Sequence, residues 1–212
     1  MRFGWAVCVC SSAAWAAPPQ TVGDLELEVA KKTINLVVTR QKQPDGGSVI
    51  KLAARGLGKP QTLTLYQGGG DDDGPNDVDI KKVLIDEVEL GKLKVARVDI
   101  NFRIPGTVKK EIQTDTMLIG FDGKMHKLVE LRTYYSRTKS KLCRDGEEVT
   151  LAGSAETLTA TKTAIAEPAL DDEDQPIDKS CKPKGGPQKV IYKMKGDHFV
   201  QVDPAPAETE EQ

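Results

Sequence analysis

Three groups of side chains in this sequence have types and spacings that could do chemistry. Asp71, Asp73 and Asp77 lie in the run Gln67 to Asp77, which holds no apolar residue. Clustered carboxylates favour hard cations such as calcium, although the same composition also makes a solvated turn. Lys127, Arg132, Arg137, Lys139 and Lys141 set a cationic stripe with Tyr134 and Tyr135 between them. Such a stripe could hold an anionic glycan, a lipid head group or an acidic partner; the bland reading is a wetted strand face. The third group is His126 and His198, which are distant in the chain and have no evident partner to make either a general base. Gly153-Ser154-Ala155 lacks the spacing of a nucleophile elbow, and no phosphate loop, zinc helix or catalytic cysteine pattern is present.

The segment Asp71-x-Asp73-Gly74-x-x-Asp77, followed by Val78, resembles the second half of the calcium loop of integrin-like propeller repeats. The resemblance implies calcium held by Asp71, Asp73 and Asp77. It covers about ten residues, Gly69 stands where that family has a further acid, and no repeat follows, so the propeller fold is not implied.

Other segments must position these groups. Arg2, the apolar run Phe3 to Ala13 and Ala14-Trp15-Ala16 read as a signal peptide over residues 1–16, too short to span a bilayer. Its removal takes Cys8 and Cys10 with it. The remaining pair, Cys143 and Cys181, is then expected to form one disulfide in an oxidising compartment. Residues 17–203 read as a single exported β-domain, with a possible internal boundary in the 67–77 loop, and residues 204–212 as a disordered acidic tail. A net charge of −2 and an aromatic content of 5% fit neither a nucleic-acid binder nor a large aromatic binding face.

Helical periodicity is nearly absent. Strand patterns run through Leu25 to Val29, Thr33 to Arg40, Ser48 to Ala54, Gln61 to Tyr66, Val78 to Leu90, Lys92 to Ile104 and Thr107 to Phe121. The last continues across Asp122-Gly123, a strong two-residue hairpin signal, into a strand beginning at Lys124. That turn pairs Phe121 with Lys124, Ile119 with His126 and Met117 with Leu128. It sets Asp115 against Glu130, an unfavourable pair for which a bulge is the expected escape. Both faces of this hairpin carry apolar groups, so cover on both sides is expected. A change of phase near Ala96-Arg97 suggests another bulge. Asp145-Gly146 reads as a second hairpin turn, pairing Leu142 with Val149, and Gly196-Asp197 as a last one.

The expected fold is all-β: an antiparallel β-sandwich or partly open β-barrel built from hairpins, with one disulfide. The expected function is a non-catalytic binding or structural module of a bacterial cell envelope or secretome, secreted or periplasmic. No cofactor is expected; calcium at the acidic loop is the alternative to a plain solvated turn. The alternative is a hydrolase or glycan-processing enzyme whose carboxylates come from distant strands, to be recognised by a concave pocket that gathers them. A third option is a hollow-barrel ligand carrier.

Overall fold

Strand-forming residues punctuated by tight turns fold here into two antiparallel meanders. A computed structural model describes residues 16–44, 46–68, 79–104, 111–138, 143–169 and 181–202. The signal segment through residue 15, the acidic triplet Asp71, Asp73 and Asp77, the cations Lys139 and Lys141, and the tail at 204–212 lie outside them. The first sheet consists of β1 (Gln20–Val29), β2 (Lys32–Lys42), β3 (Ser48–Arg55) and β4 (Gln61–Gly68), in that order. The second contains β5 (Asp79–Leu90), β6 (Leu93–Ile104), β7 (Glu111–Phe121), β8 (Met125–Thr138), β9 (Cys143–Gly153), β10 (Thr157–Pro168), β11 (Gln188–Lys195) and β12 (His198–Val202), again in sequence order. Consecutive strands always neighbour one another, and among the described residues β5 and β12 each pair on one side only, so the long sheet does not close into a barrel. Among the described residues there is no helix.

Two cores hold these layers. Leu27, Ile34, Leu36, Ile50 and Leu52 of the small sheet pack with Val98, Ile100, Met117 and Ile119 of the long one. The second core lies within the long sheet, where Leu90, Val95, Leu118 and Leu128 meet Leu158 and Phe199. Each fully buried Leu or Ile contributes about 1.5–3 kcal/mol. The hairpin β7–β8 serves both cores, Met117 and Ile119 facing the first and Leu118 the second, which is the two-sided cover its sequence implied.

The same division explains the change of phase in β6. Val95 and Ala96 are consecutive and both 0% exposed, one in each core. No bulge forms at Ala96-Arg97, where pairing with β5 runs unbroken from Leu93 to Asn101. The apolar pattern changes face because the strand passes from one core to the other.

Two further expectations are corrected. The Asp122-Gly123 turn is a three-residue loop that includes Lys124, so Phe121 pairs with Met125 and Ile119 with Lys127. Asp145-Gly146 is no turn at all: both residues lie inside β9, opposite Arg137 and Ser136, and Val149 pairs with Lys162 rather than Leu142. Gly146 is required there for another reason, because a Cβ on it would stand 1.9 Å from the carbonyl oxygen of Tyr135. The connection between β8 and β9 falls in residues 139–142, outside the described ones.

The disulfide forms as expected between Cys143, the first residue of β9, and Cys181, with Cα atoms 6.0 Å apart.

Candidate functional site

The bulges in β8 decide which side chains meet. Leu118 pairs with Val129 and Ile119 with Lys127, leaving Leu128 unpaired; Thr114 pairs with Tyr134 and Asp115 with Arg132, leaving Thr133 unpaired. These slips move Asp115 away from Glu130 and place it opposite a cation, the escape that the sequence called for. Leu128 is 2% exposed in the second core. Thr133 is tied into a buried polar chain. Thr116 donates to Asp99 Oδ1 at 2.5 Å, so Thr133 is the donor in its 2.6 Å contact with Thr116. Arg97 Nε closes the chain on the same Asp99 oxygen at 2.9 Å. This chain fixes the bulge, and the bulge fixes Arg132.

Beside that bulge is a cavity of about 340 Å³, lined by Asp115 from β7, Glu130, Leu131, Arg132 and Tyr135 from β8, Glu147 from β9 and Lys162 from β10. Arg132 lies with its guanidinium carbon 5.2 Å from the centre of the Tyr135 ring. Its Nε is also 4.0 Å from Asp115 Oδ1, which accepts a 2.7 Å hydrogen bond from Gln113 Nε2. Burial pushes the Asp115 carboxyl above the usual Asp range, against the pull of Gln113 and Arg132. Across the seam between the sheets, burial and then the charge of Asp115 raise the phenol of Tyr66. Tyr66 packs on Phe102 with ring centres 5.0 Å apart.

The charges around this cavity differ in how they are engaged. Asp115 and Arg132 hold each other, and Glu130 pairs with Lys127 outside the cavity. Glu147 and Lys162 have no ion pair or side-chain hydrogen bond among the described residues.

Of the cationic stripe, Arg132 reaches the cavity, Lys127 is neutralised by Glu130, and Arg137 is exposed on β8 opposite Glu111 and Asp145. Among the described residues no group of three or more His, Cys, Asp or Glu could hold a metal ion. His126 does not sit opposite Ile119; it faces Gly120, with its Nδ1 3.4 Å from Asp122 Oδ1. His198 Nδ1 lies 3.0 Å from Asp197 Oδ1. Asp197 is held below the usual Asp range chiefly by the hydrogen bond from His198, and His126 also lowers it. The two histidines, remote in sequence, thus stand at neighbouring hairpin tips.

Sequence reasoning missed Asp115, Glu130, Glu147 and Lys162 as one group. The only hint was the unfavourable Asp115–Glu130 pairing, which marked a place where the register had to slip. Glu147 and Lys162 carried no signal, because their placement depends on β9 continuing through Asp145-Gly146. No protein-family model, no curated protein and no solved structure matches the chain.

Proposed function

We propose that this chain is a non-catalytic exported β-domain that binds a polar, hydroxyl-rich ligand, a segment of envelope or secreted glycan, in the cavity on β7–β10. The observation that carries this reading is the cavity itself. Its volume of about 340 Å³ falls within the range of small-molecule sites. Its lining combines carboxylates, an ammonium, a guanidinium and a tyrosine ring, which together can donate to and accept from many hydroxyls. A disulfide and, among the described residues, no helix long and apolar enough to cross a membrane are compatible with a place outside the cytoplasm. Export itself rests on the leader-like first residues. Affinity electrophoresis of the folded chain in gels containing polysaccharide tests the binding. Retardation that Glu147→Gln weakens supports it, and mobility unchanged in every gel contradicts it.

One observation favours an enzyme as the second reading. Asp115, whose carboxyl burial pushes up, shares the cavity with Glu130 and Glu147, and glycoside hydrolysis uses a carboxyl of raised pKa together with a second carboxylate. New reducing ends from a retained polysaccharide, abolished in Asp115→Asn, would establish that reading. Retention without cleavage supports the binding module. The long sheet does not close into a barrel, so the fold lends the hollow-barrel carrier no support.

A further inference from the structure

We infer that the ligand is uncharged where it enters this cavity, and that Glu147 and Lys162 are the two side chains that grip it. The inference rests on the binding reading above and narrows it.

The cavity holds five charged groups, and three of them are already committed. Asp115 accepts from Gln113 and faces Arg132; Arg132 divides itself between Asp115 and the Tyr135 ring; Glu130 is paired with Lys127. Glu147 and Lys162 alone face the cavity without a partner among the described residues. They come from adjacent strands. Glu147 pairs with Ala164, and Lys162 with Val149, so the two lie diagonally on one face of the β9–β10 ribbon. Diagonal neighbours are roughly 7–8 Å apart at the backbone, and the two groups do not come within ion-pair distance of each other. The gap between them is one that an intervening polar group can bridge.

Their signs are opposite, so the uncommitted charge of the cavity sums to zero. A uronate or sulfate ester would find Lys162 but would also meet the uncommitted Glu147, and like charges brought together at an interface oppose binding. An ammonium group would find Glu147 but would meet Lys162 and Arg132. Sugar hydroxyls avoid both conflicts. One hydroxyl donates to the Glu147 carboxylate while another accepts from the Lys162 ammonium, both as charge-assisted hydrogen bonds. Tyr135, steadied by Arg132, offers the apolar body against which the C–H face of a ring can lie.

The test is affinity electrophoresis of the folded full-length chain in gels containing a neutral glucan or xylan, alginate, a sulfated galactan or chitosan. Wild type is compared with Glu147→Gln, Lys162→Met and Lys193→Met. Lys193 lies on β11 outside the cavity and serves as the control, and circular dichroism confirms that each variant is folded. The expected result is retardation by a neutral polymer, weakened about tenfold by either cavity variant and unchanged by the control. That binding would change less than about twofold between low salt and about 0.5 M salt, because no ion pair is screened. Retardation confined to alginate or the sulfated galactan, lost in Lys162→Met and strengthened in Glu147→Gln, would overturn neutrality while leaving the cavity as the site. Retardation confined to chitosan and lost in Glu147→Gln would do the same with the opposite sign. No retardation by any polymer would overturn both this inference and the binding reading beneath it.

Discussion

Tyr134 carries the plainest titration in the molecule. Its hydroxyl donates to Glu167 Oε2 at 2.7 Å, and burial first, then that hydrogen bond, push its pKa up to about 12. The folded chain therefore prefers the neutral phenol more strongly than the unfolded chain does. Stability is complete below about pH 10 and falls as the pH rises from 10 through 12. Ultraviolet titration of the phenols should show Tyr134 ionising about two pH units late, near 12. Tyr134→Phe should remove that late step and lower stability at neutral pH by about 1–2 kcal/mol, read from urea unfolding, because Glu167 loses its donor. A titration in which every tyrosine ionises together near pH 10 would contradict the contact. The same region holds Arg144, 3% exposed, with Nη1 3.8 Å from Glu167 Oε2 and Nε and Nη2 unpaired among the described residues. Its guanidinium helps to keep Glu167 in place for Tyr134 at the expense of its own hydrogen bonding.

At the scale of the element, β8 and its neighbours show what pattern can and cannot reveal. Alternation located the strands through β8 but set a turn inside β9, and the close of the chain over Gly196-Asp197 came out as read, with Lys195 pairing with His198. The two Asp-Gly pairs look alike in sequence but differ in role. Asp122-Gly123 turns the chain, with Gly123 at φ 90°, whereas Gly146 is an extended residue that lets β8 approach β9. Nothing local distinguishes them, since the deciding contact is the Tyr135 carbonyl on another strand. Gly146→Val is accordingly expected to destabilise the chain by more than about 3 kcal/mol, or to prevent folding, as measured by thermal melts. A melt within a few degrees of wild type would mean that β9 is placed wrongly. The opposite lesson comes from β1 and β2, joined by Ala30 and Lys31 with φ of 50° and 65°. Both residues occupy the left-handed region that a two-residue hairpin demands but that Ala and Lys disfavour. No turn signal marks this corner, so the sequence hides it. Replacing Ala30 and Lys31 by Asn-Gly should raise stability by about 1–2 kcal/mol, seen as a higher Tm; a lower one would show a different turn.

For the whole molecule, the all-β class and the Cys143–Cys181 bond were legible because they depend on composition, period and compartment. The partition into two sheets with two cores was not, because it depends on which face each strand buries, and the strands of the central hairpin bury both. The cavity was less legible still, since four strands and the bulge at Thr133 must be in register before Asp115, Glu147 and Lys162 share a space. The disulfide pins the start of β9, the strand that carries Glu147, to Cys181 across a separation of 38 residues. Replacing both cysteines by alanine should cost about 4 kcal/mol on the chain-entropy account. Urea unfolding of the oxidised chain against the double variant measures this, and an unchanged midpoint would show that the bond closes no unfolded-state freedom. The most direct test of the whole account is a nuclear magnetic resonance titration of the labelled chain with a neutral oligosaccharide. Shifts concentrated at Asp115, Glu130, Arg132, Tyr135, Glu147 and Lys162 are the predicted result. Shifts concentrated instead on the exposed Ile191 and Val200 of β11 and β12, or no shifts at any concentration, would contradict it.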